Sequence, residues 1–319
     1  MPELPQVEAL AEFLRANLVG QTIKQLEWGT INTLKTFDPP ADELVDRTVT
    51  AVNRWGKHID VVTSAAGSDA GTGGGDSPGA EQLSTGVGAD GAPSSGTLHL
   101  VFHLARAGWL VWREQMAQTR IRPGKSPISL RVRLADGAGF DLTEAGTQRK
   151  LAVWVVRDPQ QVPGIATLGP DPMAPQFTMD VLRSLLDDAA RAQLKGVLRN
   201  QRVIAGIGNA YSDEILHAAK LSPFKAANSL DQCELQRLHS AIRDGLTAAV
   251  ERAAGLAAKD IKADKRAQLR IHAHAGDPCP VCGTAIASVS FADSSLEYCP
   301  HCQTGDKLLA DRRMSRLLK

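Results

Sequence analysis

The chain has 319 residues, 43% of them apolar, which is too long for one ordinary core and predicts two or three domains. No stretch approaches the length of a membrane-spanning helix, and the start MPELPQVEAL has neither the basic region nor the apolar core of a secretory signal. Both points argue against a membrane role and make a cytoplasmic protein the expectation. The net charge of +1 is unevenly spread: residues 64–96 hold Asp69, Asp76, Glu81 and Asp90 and no Lys or Arg, so removing those four carboxylates leaves +5 on the rest. Basic residues gather at 191–202, 259–270 and 307–319, where phosphate contacts can lie, so charge permits a DNA partner without demanding one.

At the start, loss of Met1 would turn the ring nitrogen of Pro2 into a secondary amine with a pKa of roughly 7.7 to 8.0, nucleophilic near neutrality. A carbonyl or a sugar C1′ is its natural target, through an iminium of the Schiff-base type, and Glu3 can move a proton at the same centre. The alternative is a plain proline-rich start, with Glu3 an ordinary surface carboxylate. Residues 8–18 carry a helical pattern. Residues 58–63 (HIDVVT) and 97–104 (TLHLVFHL) alternate as strands, and between them the Gly/Ser/Ala-rich run 64–96 lacks the large apolar side chains that would offset ordering. The reading is a β-hairpin with a stretched, flexible connection. Further strands are expected at 128–134 and 151–157, giving a β-rich N-terminal region.

From about residue 180 the period becomes helical, through 181–201, then 211–221, then 230–255. Between the first two lies Ile204-Ala-Gly-Ile-Gly-Asn209. Gly206 and Gly208 allow a tight turn with exposed backbone amides, and Asn209 can cap the next helix. Such amides suit a DNA phosphate, although a plain interhelical turn reads the same way. Cys233 stands apart in a helical pattern as a buried or idle thiol. Cys279-x2-Cys282, sixteen residues, then Cys299-x2-Cys302 is the spacing of a closed tetrahedral Zn(II) site on a β-hairpin, favoured over free or redox thiols. With four thiolate ligands there is no open position to activate water, so the zinc is structural, one per chain.

Taken together, PELPQVE at the start, RWGKHID around Lys57, LKGVLRNQRVIAGIGNAYSDEILHAAKLSP, and PCPVCG with YCPHCQ resemble the formamidopyrimidine-DNA glycosylase and endonuclease VIII family of base-excision repair enzymes. The resemblance covers nearly the whole chain. It implies an α+β multidomain fold: an N-terminal β-sandwich with flanking helices, a helix-two-turn-helix domain, and a C-terminal zinc-finger β-hairpin, with DNA bound between them. The corresponding division is 1–160, 175–270 and 271–303, followed by a basic tail, 304–319, whose leucines and arginines suit a short amphipathic helix. By the same resemblance Pro2 would attack C1′ of the damaged nucleotide, with Glu3 the acid/base residue at the sugar. Lys57, which alone reads as a solvated strand-end lysine, would hold a phosphate beside the lesion. Asn209 would bind backbone phosphate, and Lys195 matches a lysine near the same cleft. Extrusion of the target nucleotide requires a narrow pocket and a wedge into the duplex. The iminium then acidifies the 2′ position, so that β-elimination cuts the strand.

Several positions depart from the family pattern. Gln6 stands where Glu is common, keeping hydrogen bonding and losing charge. The family's HLGMSG segment reads His103-Leu-Ala-Arg106-Ala-Gly, so Arg106 replaces an apolar wedge by a side chain that can stack or pair. Arg149 stands near the place of an arginine that reads the opposite base. Ser294 replaces the zinc-finger arginine tied to δ-elimination, and 255–270 is short beside members with a lid over 8-oxoguanine, which favours a pyrimidine-type or unusual substrate. The expectation is a monomeric, nucleoid-associated DNA glycosylase with AP-lyase activity acting on damaged double-stranded DNA. The rival is a protein that binds lesions or abasic sites with base excision lost or altered, and a third reading is a zinc-ribbon protein that binds RNA or protein.

Overall fold

The computed structural model describes residues 1–65, 96–122, 124, 126–145, 149–291 and 295–310. Residues 66–95 of the expected loop, Ser294 and the tail beyond residue 310 therefore lie outside the described residues. In chain order the elements are α1 (Leu4–Leu18), β1 (Ile23–Trp28), β2 (Thr48–Trp55), β3 (His58–Ser64), β4 (Leu98–His103), β5 (Gly108–Arg113), β6 (Ile128–Leu134), β7 (Gly139–Glu144) and β8 (Ala152–Val156). They continue as α2 (Pro163–Ala166), α3 (Met179–Asp188), α4 (Leu194–Arg199), α5 (Asn209–Ala218), α6 (Gln232–Ala253), α7 (Ile261–Gln268), β9 (Ala287–Ser290), β10 (Ser295–Tyr298) and α8 (Pro300–Thr304). Among the described residues no helix is long and apolar enough to cross a membrane. Two compact units result. The first holds residues 1–2, 7–166 and 255–259; the second holds 3–6, 167–254 and the chain from 260 onward. A division into contiguous segments misses both exchanges, of 3–6 and of 255–259.

The first unit is a β-sandwich of two four-stranded antiparallel sheets, β1-β6-β7-β5 and β2-β3-β4-β8. The expected pairing of the strands on either side of the 64–96 run is present as β3 against β4. Leu100, Phe102, Val153 and Val155 of one sheet and Leu110, Leu130, Phe140 and Leu142 of the other are buried, and the Phe102 and Phe140 rings lie 6.1 Å apart. That inward-facing set is what closes two aligned sheets over a core. Helix α1 buries Val7, Leu10, Leu14 and Leu18 at three- and four-residue spacing. It begins four residues before the expected position, because Pro5 is tolerated in a first turn, where its missing N–H has no intrahelical partner to lose.

The most buried arginine–carboxylate pair described in this unit joins the two central strands of one sheet. Arg131 on β6 faces Asp141 across the ladder and donates to both carboxylate oxygens, at 2.8 and 3.1 Å, with both side chains nearly inaccessible. The bond to Asp141 raises the already high pKa of the guanidinium against the opposing effect of burial. Removing Arg131 leaves the buried Asp141 to the longer contact with the half-exposed Arg113, at 3.5 Å. We expect Arg131→Leu to cost about 3–5 kcal/mol of stability, read as a lower urea midpoint.

The second unit packs α3, α4, α5 and α6 around Leu182, Leu186, Leu198, Ile207, Leu216, Leu238, Ile242 and Leu246, with Leu4 in the same cluster. The continuous helix expected over 181–201 is two helices. Ala190, at φ 51°, turns the chain between α3 and α4, and its N–H returns to the Asp187 carbonyl at 3.0 Å. An alanine in that conformation gives no breaker signal in the sequence, where glycine is the usual occupant. Helix α6 starts with a capping box, Asp231 accepting from Glu234 N and Glu234 returning to Asp231 N. Cys233, in its first turn, is exposed rather than buried. The β9–β10 hairpin buries Val289, Leu296 and Tyr298, with Phe224 packed against them.

Candidate functional site

The strand register gathers the basic candidates of the first unit. His58, the first residue of β3, pairs with His103, the last of β4, which pairs in turn with Ala152 at the start of β8. Lys57 precedes this row by one residue, Arg106 follows it by three, and Arg149 precedes it by three, its side chain tied to residues beside β1 and β6 of the other sheet. Lys57 lies in the β2–β3 turn and is buried, not a solvated strand-end lysine. Arg106 is exposed in the β4–β5 connection, whose Ala105 N–H donates to His103 Nδ1 at 3.2 Å. Arg149 donates to Thr30 Oγ1 at 2.8 Å and to the Ser126 carbonyl at 2.9 Å. Just after it, the buried Glu144 carboxylate accepts the N–H groups of Lys150 and Leu151, each at 2.9 Å, which fixes where the chain re-enters the sheet. The two adjacent imidazoles in this row are neutral. Burial, with Lys57 close by, takes His58 down to about 4 and His103 to about 3.

In the second unit the turn before α5 is not an open anion site, because a carboxylate of the same chain already fills it. Glu3 is 3% exposed, and its two oxygens accept the backbone N–H groups of Gly208 at 2.8 Å, Ala210 at 3.1 Å and Tyr211 at 3.2 Å. Lys265 Nζ is a fourth donor, at 3.2 Å. The expected cap role of Asn209 therefore falls to Glu3: Gly208 is the N-cap residue, Asn209 is already helical, and no side chain within the helix caps it. A carboxylate at a helix N-terminus meets both the unpaired donors and the positive end of the helix dipole. The glycines are needed for contact. A β-carbon on Gly208 would meet the Glu3 carboxyl carbon at 2.5 Å, and Gly206, at φ 85°, would bring one to 2.7 Å from Leu4. Gln201 clamps the turn, its Oε1 accepting Gly206 N at 2.9 Å and its Nε2 donating to Ile207 O at 2.7 Å. Sequence reasoning passed over Gln201; the only signal was a buried-turn amide partner placed five residues before a Gly-x-Gly.

Gln6 completes this arrangement. Its Oε1 accepts Glu3 N–H at 3.2 Å, which forces its Nε2 to face, and donate to, the Tyr211 hydroxyl at 3.0 Å. A glutamate there would instead accept from that hydroxyl. Burial lifts the Tyr211 phenol to about 12. Pro2, buried in the first unit, is bonded directly to Glu3.

Lys195 is 4% exposed and spends its three donors on Asn209 O at 2.9 Å, Ser212 Oγ at 3.0 Å and Asp213 Oδ1 at 2.5 Å. Burial pulls the ammonium below its ordinary value and pushes the Asp213 carboxyl up, each against the attraction of the other. Asn209 donates through Nδ2 to Ser295 O of β10 at 2.8 Å, and its Oδ1 is buried without a partner among the described residues. The charge row continues. His272 Nδ1 lies 2.8 Å from Asp213 Oδ2 and 3.0 Å from Glu297 Oε2. Burial opposes the charge on His272, but hydrogen bonds to the two carboxylates raise it to about 9. Burial likewise opposes the charge on Glu297, and the bonds from His272 and Ser295 bring it to about 2. Two cations, Lys195 and His272, balance the two anions, Asp213 and Glu297.

The four paired cysteines do suit a metal. Cys279, Cys282, Cys299 and Cys302 place their sulfurs within 4.8 Å of one another, with contacts of 3.4 and 4.0 Å between Cys282 and Cys299 and between Cys279 and Cys302. A zinc tetrahedron with Zn–S of about 2.3 Å has edges of about 3.8 Å, so the four fit one structural zinc. His217 of α5 lies 3.3 Å from the Cys279 sulfur through Nε2. Gln303 ties α8 back by donating to Leu221 O at 2.9 Å.

Two outcomes follow from these bonds. Gln6→Leu leaves the Glu3 N–H and the Tyr211 hydroxyl without a buried partner and should cost about 1–3 kcal/mol in denaturant titrations, while Gln6→Glu, which can serve both, should cost less. For His272 the folded pKa stands above the unfolded one. Its contribution is therefore complete below about 6.5 and is lost as pH rises through about 9. Thermal melts between those values should show a decline that His272→Gln flattens; an unchanged slope would contradict the ion-pair geometry.

Comparison with known proteins assigns these parts. Residues 1–151 match the formamidopyrimidine-DNA glycosylase N-terminal domain, 168–260 the formamidopyrimidine-DNA glycosylase H2TH domain, and 276–305 the zinc finger found in FPG and IleRS. A Mycobacterium tuberculosis protein described as an uncharacterized formamidopyrimidine-DNA glycosylase-like protein is 54% identical over 152 residues, 48% of this chain and 94% of that one. The formamidopyrimidine-DNA glycosylase of Symbiobacterium thermophilum is 31% identical over 318 residues, covering 95% of this chain and 89% of that one. The crystal structure of the MutM (Fpg) protein of Thermus thermophilus superposes with a TM-score of 0.71 at 26% identity, covering 96% of this chain and all of that one. With a sandwich, a helical unit and a four-cysteine hairpin in that order, the chain belongs to the formamidopyrimidine-DNA glycosylase family.

Proposed function

We propose that this chain is a bifunctional DNA glycosylase and AP lyase of base-excision repair, acting on damaged double-stranded DNA through Pro2. The observation that carries the reading is the Glu3 carboxylate, buried on the amides that open α5 and covalently next to Pro2. Once Met1 is removed, the Pro2 nitrogen has a lone pair for C1′ of an extruded nucleotide. The C1′–N bond to the base breaks, the base leaves with its bonding electrons and a proton, and opening of the sugar ring gives the iminium. Glu3 moves protons at the sugar, held by fixed donors so that it needs no reorganisation. The iminium acidifies the 2′ hydrogen; its removal expels the 3′ phosphate, and hydrolysis returns the Pro2 amine.

Lys57, Arg106 and Arg149 take the phosphates and the gap left by the extruded base. Lys195 acts differently from a phosphate lysine. With its three protons on Asn209, Ser212 and Asp213, it positions the first turn of α5, and the Asn209 Nδ2 proton not given to Ser295 is the one offered to a backbone phosphate. Cys279, Cys282, Cys299 and Cys302 hold the zinc, which folds the hairpin and takes no part in the chemistry. The functional division is 1–160 as the catalytic sandwich, which also carries Lys57, Arg106 and Arg149, then 175–270 and 271–303 for DNA, and the basic tail 304–319. The protein works as a monomer on the chromosome, in the cytoplasm. The lesion-sensor reading loses one motive, since Gln6 is accounted for by its bonds to Glu3 and Tyr211.

Borohydride trapping on duplex DNA with a single abasic site tests the reading. The expected result is a covalent adduct that depends on Pro2 and disappears in Pro2→Gly. Tight binding without any adduct or strand cut would establish the sensor instead.

A further inference from the structure

Helix α7 lies in the segment that reads as too short for a lid, and it brings a lysine to the buried carboxylate. Lys265 Nζ is 3.2 Å from Glu3 Oε1, with its side chain 13% exposed, and 5.4 Å above the centre of the Tyr211 ring. Ile261, fully buried, anchors the start of the helix. The ammonium is thus held from two sides, by the carboxylate and by the aromatic face. None of the roles derived above requires it.

We propose that Lys265 is a positioning residue that sets the ionisation of Glu3; the catalytic meaning of this rests on the glycosylase/lyase reading. The groups around Glu3 can be named element by element. From α5 come three backbone N–H groups and the Tyr211 phenol, from α1 the neutral Gln6 amide, from α4 the Lys195 ammonium, and from α7 Lys265. Arg252 of α6 and Asp264 of α7 act on Tyr211 behind them. Lys265 is a cation in direct contact with the carboxylate, and a cation at hydrogen-bond distance lowers a carboxyl pKa by about 1–3 units. Lys195, whose donors are all engaged elsewhere, contributes only through space. Whether Glu3 gives or takes a proton at the sugar, the limb of the pH–rate profile it governs moves up when the lysine charge is removed.

The test pairs two readouts on the full-length, zinc-loaded protein: the carboxyl-carbon NMR titration of Glu3, and the pH–rate profile of strand cleavage on abasic-site DNA. Lys265→Met should raise the Glu3 midpoint by about one unit or more, changing the rate on that limb about tenfold per unit, and Lys265→Arg should restore both. An unshifted Glu3 titration in Lys265→Met overturns the inference, as does an arginine variant as altered as the methionine one. A shifted titration with an unmoved rate profile upholds the coupling and removes Glu3 from the chemistry, which separates failure of the functional reading from failure of this one.

Discussion

The second unit depends on one exchange of partners: the donors that open α5 bind a carboxylate from the other end of the sequence instead of water or phosphate. Three N–H groups and a lysine converge on Glu3. A helix that begins inside a protein must satisfy its first amides somehow. Here the solution also buries an ionisable group next to Pro2 in the chain, and the N–H groups and the lysine on its carboxylate favour the charged form. The surrounding requirements then follow. Gly208 has no β-carbon because the carboxylate occupies that space, Gln201 holds the turn in shape, and Gln6 orients the Glu3 backbone.

Much of this was legible in the sequence, for identifiable reasons. Strand alternation in 58–63 and 97–104 and the paired Cys-x2-Cys spacing encode local geometry directly, and the structure places β3 against β4 and the four sulfurs together. Other strands, such as β1 and β2, escaped because their faces mix buried and polar residues without clean alternation. The division of 181–201 into two helices was hidden by an alanine that adopts a glycine's conformation.

At the site the limit was different. Single-sequence reasoning could see that IAGIGN makes a turn with free amides, but it could not see that residue 3 fills them, since that pairing spans more than two hundred positions. From residue type, Asn209 can cap α5 or bind phosphate, and Lys195 can lie in a DNA cleft. The structure gives the cap to Glu3 and makes Lys195 an internal strut. Both differences share a cause: residue type predicts which bonds a side chain can make, while burial decides which it does make.

The zinc hairpin reaches further into this arrangement than its separation from the chemistry implies. Strand β10 runs into the third cysteine at one end, and at the other its Ser295 carbonyl receives the amide of Asn209, the first residue of α5. Helix ends fray first, and a frayed first turn would release the amides that grip Glu3. By pinning that turn from outside, the hairpin works as a ferrule on the helix end, so that a metal-binding module with no open coordination position bears on the turn that holds a carboxylate from the opposite end of the chain.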